Sequence, residues 1–123
     1  DIESNKISVY DTKEVIFTRP ELVNSVYIDD IDYIHVYWKN ILMGRLLKYA
    51  YPIFFSVHLK DKSKVTFEAM LGTNRKSFIE AIQFLESKNV VFKYEYELLD
   101  KIKDMNTNIW ESIEEIIAFK LKK

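Results

Sequence analysis

The chain has 123 residues, 48% of them hydrophobic and 15% aromatic, with 30% charged and a formal net charge of -1. That is one domain's length of chain with apolar area enough for a core, which excludes a disordered segment and a pair of ordinary domains. The even charge balance removes the broad attraction that nucleic acid or an anionic membrane requires, and the lack of cysteine removes disulfides, a thiolate nucleophile and thiolate zinc sites.

Only two glycines and two prolines punctuate the chain, so long strands and helices joined by polar turns are expected. Lys6 to Tyr10 and Val15 to Thr18 alternate apolar and polar residues as two short strands, joined through Asp11-Thr12-Lys13-Glu14. After Arg19-Pro20-Glu21, Val23 to Ile28 and Ile31 to Trp38 read as further strands, with a bulge or tight bend at Asp29-Asp30. Ile34, Val36 and Trp38 share one face of that second strand, and Tyr33, His35 and Tyr37 share the other. Pro52 to Leu59 and Lys64 to Met70 form the clearest hairpin, period two on both arms around Asp61-Lys62-Ser63.

Gly72-Thr73-Asn74 supplies helix N-cap chemistry, and Phe78, Ala81, Ile82 and Leu85 then recur at helical spacing up to an Asn89 left-handed cap. Val90 to Leu99 returns to strand character, either an outer strand or an edge that offers its main chain to an extended peptide. A last helix opens at Asn108, with Glu111 three residues later and Ile109, Ile113, Ile116 and Ile117 along one face. No run reaches the roughly 18 apolar residues of a spanning helix. The nearest approach, Ile41 to Val57, is broken by Arg45, Lys48 and Pro52. With no leader pattern in view, the expected location is the cytoplasm.

Catalytic constellations are scarce. Tyr27-Ile28-Asp29-Asp30 has the paired aspartates with which polymerase palms hold divalent metals, but those palms need a further distant aspartate and much more chain. Asp29, Asp30 and Asp32 therefore read as solvated residues at a strand bend. His35 and His58 fall on the polar phase of two strands. If those strands are neighbours, the imidazoles approach each other, and with Asp32 or Glu68 they would suggest a metal or acid–base site. Histidine on the wet face of a strand is more often incidental. No nucleophile motif or glycine-rich phosphate loop is present, so neither enzyme activity nor a cofactor or metal is expected.

The segment Ile41 to Tyr51 stands apart, long and apolar yet studded with Arg45 and Lys48. It reads either as a short amphipathic helix that buries Leu42, Leu46, Leu47 and Ala50, or as an exposed apolar-basic loop that docks on a partner or a membrane interface. Its Met43, Arg45, Tyr49 and Tyr51 are types that interfaces favour.

At the level of pattern, Val26 to Tyr37 with its IDDID step, Phe54 to Met70 and the helix Arg75 to Ser87 resemble the bacterial pleckstrin-homology-like arrangement. That resemblance implies a non-enzymatic adaptor or membrane-associated module and carries over no functional residues. The strand after the helix and the second terminal helix depart from it. The Lys-, Asn- and Ile-rich composition also resembles small bacterial immunity or antitoxin-like proteins.

The expectation is a single α+β domain over residues 1–123, a mostly antiparallel sheet of five to seven strands with two helices packed on one face. Its expected role is protein binding, with another protein rather than nucleic acid as partner. The candidate surfaces are Met43, Arg45, Leu46, Tyr49 and Tyr51 on one side and Tyr33, His35 and Tyr37 on the other. The alternative is an immunity protein that occludes a toxin's active site, Asp29, Asp30 and Asp32 mimicking phosphate. A metal-dependent hydrolase is the third reading.

Overall fold

Among the described residues the strands form three separate sheets rather than one, and the alternation of apolar residues gives the four-stranded one a dry face and an open face. The computed structural model describes residues 6–9, 14–19, 22–44, 48–69 and 71–121. Strands β1 (Lys6–Val9), β2 (Glu14–Arg19) and β3 (Leu22–Tyr27) form an antiparallel three-stranded sheet in that order, with Ile7 opposite Phe17 and Val15 opposite Val26. Of the expected connection Asp11-Thr12-Lys13-Glu14, Glu14 belongs to β2, and residues 11–13 lie outside the described residues together with Tyr10, expected in the first strand.

One 3-10 turn, Ile28–Asp30, carries β3 into β4 (Ile31–Trp38). A 3-10 turn eclipses residues three apart, so Ile28 and Ile31 are both buried while Asp29 and Asp30 stay exposed. This is the bend anticipated at the aspartate pair. The ladder irregularity follows it, between Ile31 and Tyr33, and switches the inward phase to Ile34 and Val36.

Strands β5 (Ile41–Met43) and β6 (Lys48–Ala50) make a two-stranded ladder. Then β7 (Ile53–Leu59) pairs with both β4 and β8 (Lys64–Glu68), all antiparallel. Helix α1 (Leu71–Ser87) begins ahead of the cap expected at Gly72-Thr73-Asn74. Leu71 is buried in the core, and burying a leucine is worth about 2 kcal/mol, more than the roughly 1 kcal/mol that a helical glycine costs. The helix ends as Asn89 suggests. That residue is left-handed at φ 69, Val90 N–H donates to Leu85 O (3.1 Å) and Asn89 N–H to Glu86 O (3.0 Å), a Schellman closure.

The strand expected over Val90 to Leu99 shrinks to β9 (Phe92–Lys93), which joins β4 in parallel and completes a four-stranded sheet of order β8-β7-β4-β9. Helix α2 (Leu98–Lys103) takes the rest. Leu98, Leu99 and Ile102 are all buried, and two adjacent residues cannot both face the core from a strand. Helix α3 (Ile109–Leu121) starts where Asn108 places it, the Asn108 Oδ1 accepting the Glu111 N–H at 3.1 Å.

The fold is therefore α+β as expected, but with nine strands in three sheets and three α-helices among the described residues. One core holds Ile34, Val36, Phe55, Val57 and Phe67 from the sheet together with Phe78, Ile82 and Leu85 of α1, Leu98, Leu99 and Ile102 of α2, and Ile109 and Ile113 of α3. Phe55, Phe67 and Phe78 meet at its centre with ring centroids 5.6–6.3 Å apart.

Arg75 joins the helices. Its Nε donates to Ile102 O (2.9 Å), Nη1 to Thr107 O (2.8 Å), and Nη2 to Lys101 O (2.8 Å) and to Asp104 O. Those carbonyls close α2 and open the loop to α3, where helical partners are missing. Desolvation lowers the Arg75 pKa from its usual value, with the Asp104 carboxylate opposing. Replacing Arg75 by alanine should lower stability by about 2 kcal/mol in urea denaturation, and Arg75→Lys should fail to restore it because an ammonium cannot span four carbonyls. Asn108→Ala should cost about 1 kcal/mol by the same measurement.

Candidate functional site

With Ile34, Val36, Phe55 and Val57 turned inward, the other face of the four-stranded sheet is built by alternation alone. Cross-strand register sets Tyr33 opposite His58, His35 opposite Ser56 and Tyr37 opposite Phe54. The rings stack accordingly: Tyr33 on His58 at 4.4 Å, His35 on Tyr37 at 4.8 Å and Tyr37 on Phe54 at 5.6 Å between centroids. Lys93 Nζ lies 3.9 Å from the Tyr33 ring centroid and Lys39 Nζ 4.6 Å from that of Phe54, so a lysine closes each end of the strip. Between them Ser56 is buried, sharing a 2.8 Å hydrogen bond with the Thr66 hydroxyl.

The two histidines thus do share a face, since their strands are neighbours. Each is stacked on a tyrosine, and His35 sits opposite Ser56 rather than His58. Among the described residues no three histidine or carboxylate side chains are placed to hold a metal ion. Burial is the main cause that lowers the His58 pKa from 6.5, with Lys64, His35 and Lys93 adding to it and Asp32 opposing.

A second feature is the acidic corner. Asp29 and Asp30 are exposed on the 3-10 turn and Asp32 is exposed at the start of β4. The Lys60 N–H donates to Asp30 O at 2.9 Å, which fastens the β7–β8 turn beside them. In that turn Asp61 Oδ1 accepts the Ser63 hydroxyl and, at 2.9 Å, its amide, and these bonds lower the Asp61 pKa.

The third is the segment Ile41 to Tyr51, whose described residues form two short strands instead of the amphipathic helix and leave Ile41, Leu42 and Tyr49 exposed, as the docking reading expects. Gly44 at φ +66 turns the chain in a left-handed conformation that L side chains rarely adopt, and β5 and β6 pair across it. Leu42, which the helix reading buries, is 52% exposed, with Ile41 at 38% and Tyr49 at 58%. Met43 is placed opposite Lys48 in the ladder, whereas Arg45 and Leu46 lie outside the described residues, as does Leu47.

Between this hairpin and the start of α3 opens a cleft of about 650 Å³. Ile41, Tyr49, Tyr51 and Trp110 give it an apolar, aromatic lining, and Glu68, Glu111 and Glu114 a carboxylate rim. Trp110 and Glu114 were not among the residues singled out from the sequence. The signal was there, because Trp110 falls one residue off the Ile109–Ile113 stripe and so onto the solvent side of its helix.

The candidate residues do not converge on one site. Tyr49 and Tyr51 join Trp110 in the cleft, Tyr33, His35 and Tyr37 lie on the open sheet, and Asp29, Asp30 and Asp32 mark the acidic corner. No helix among the described residues is long and apolar enough to cross a membrane. Compared with family models, curated proteins and solved structures, the chain matches none of them.

The lowered His58 pKa means that the native state resists the imidazolium and the unfolded chain takes the proton first. The stabilising contribution is complete above the ordinary value of 6.5 and is lost as pH falls through the depressed native one. Urea midpoints should therefore be lower at about pH 5.5 than at about pH 7.5, and His58→Gln should shrink the difference.

Proposed function

We propose that this chain is a non-enzymatic protein-binding module that engages its partner through the β5–β6 hairpin and the adjoining face of α3. The observation that carries this reading is the exposure of Ile41, Tyr49 and Trp110 around a single cleft. Contiguous exposed apolar side chains with a polar rim mark interaction surfaces, and Tyr and Trp are the types that most often dominate their energetics. The pleckstrin-homology-like pattern of the sequence accords with an adaptor role, and it rests on that pattern alone.

A second reading keeps the immunity protein, in which Asp29, Asp30 and Asp32 meet a basic cleft in a toxin. Its support is their common exposure at one corner braced by the Lys60–Asp30 bond. Such an interface would gain association rate from its charges and lose it in salt.

Affinity purification from the native host, run in parallel on three proteins, separates the readings. A partner held by the wild type should bind at least about 30-fold more weakly to Tyr49→Ser/Trp110→Ser. It should bind unchanged to Asp29→Asn/Asp30→Asn/Asp32→Asn. The reverse pattern would favour the toxin inhibitor, and a partner equally retained by both variants would overturn both surfaces. Circular dichroism melts of each variant establish that the fold survives.

A further inference from the structure

Where β4 runs out, a second recess of about 260 Å³ lies between Trp38 and the turn that leads into α2, away from the hairpin cleft. Beneath it lie Val36 and Leu98, buried to 1% exposure, with Ile117 half-buried beside them. One wall is a corner of two rings, Trp38 and Tyr96, 5.8 Å apart and tilted by 48°. A third ring laid into that corner would make the edge-to-face and offset contacts that aromatic groups prefer.

The polar groups at the rim carry both signs. Lys120 Nζ stands 5.2 Å from the Tyr96 ring centroid, and Glu95 faces the same recess. Among the described residues neither is in a salt bridge. The Trp38 Nε1–H donates to Asn40 Oδ1 at 3.1 Å, which leaves the Asn40 amide to present its NH2. His35 lies at the mouth, and together with Glu95 it also borders an adjoining hollow of about 270 Å³.

The backbone supplies an independent observation. Tyr96 and Glu97 are consecutive left-handed residues, each at φ 56, and neither is glycine. Each costs roughly 1–2 kcal/mol relative to ordinary backbone. The conformation turns Tyr96 onto Trp38, and such strain clusters where a ligand is held.

We propose that this recess binds a small aromatic zwitterion of the size of an aromatic amino acid, its ring against Trp38 and Tyr96, its ammonium at Glu95 and its carboxylate at Lys120 and the Asn40 amide. The volume sets the size. It lies just below the roughly 300 Å³ at which drug-sized sites begin, which suits one ring and a few heavy atoms. A ligand with one charge would leave either Glu95 or Lys120 without its counterpart. This proposal is independent of the hairpin surface.

The chain has two tryptophans, so Trp110→Phe leaves Trp38 as the sole indole and its emission reports on the recess alone. Phenylalanine, which is almost dark at the indole excitation, is the probe. The expected result is a saturable change in emission with a Kd of about 1 mM or tighter. Glu95→Gln and Lys120→Gln, both at exposed positions, should each weaken it at least about fivefold, and benzoate, benzylamine and leucine should bind more weakly than phenylalanine. No saturation, equal binding of benzoate, benzylamine or leucine, or indifference to both substitutions would overturn the proposal. A null result here leaves the partner surface standing, and loss of partner binding at Tyr49 and Trp110 leaves this recess standing.

Discussion

Strand β4 is held on both edges, antiparallel to β7 and parallel to β9, and its phase decides which half of the sheet is core. Ile34 and Val36 are at 0% and 1% exposure, whereas Tyr33, His35 and Tyr37 alternate with them on the open side. A slip of one residue would exchange these sets, exposing two aliphatics and burying two phenols and an imidazole with few partners. The irregularity between Ile31 and Tyr33 is what reconciles this phase with the buried Ile28 and Ile31 upstream. Both surfaces reached from β4, the aromatic strip and the recess at Trp38, inherit their geometry from that one adjustment.

The molecule consequently divides its chemistry. Its sheet strip is self-satisfied, each ring leaning on another and each end closed by a lysine. The hairpin cleft and the recess are different, because large apolar side chains there remain exposed and charged groups stand at the rim. Two such places on opposite ends of α3, Trp110 near its start and Lys120 in its last turn, make that helix the element common to both.

Much of the architecture was legible because period-two alternation is a strong signal wherever one face is wet. The strands through Trp38, the β7–β8 hairpin and the closures at Asn89 and Asn108 all follow from local chemistry. In segment 41–51 the helix reading failed because its apolar residues suit either helix or strand and Gly44 marked a turn, whereas the exposed reading agrees with Ile41, Leu42 and Tyr49. Segment 90–99 misled because Tyr94, Tyr96 and the interleaved glutamates imitate a strand, while the adjacent pair Leu98-Leu99 was the clue to a helix. The recess was illegible, since a left-handed Tyr96-Glu97 has no compositional mark and Lys120 is remote in sequence. Ladder grouping was equally hidden, as alternation says nothing of which strands share an edge.

The Arg75 fork has a dynamic consequence. One guanidinium at the start of α1 holds four carbonyls spread from Lys101 to Thr107, so the connection between the last two helices is anchored to a distant element of the chain. Separating α2 from α1 therefore means breaking these bonds together, which couples any local opening of the connection to the hold of a single side chain.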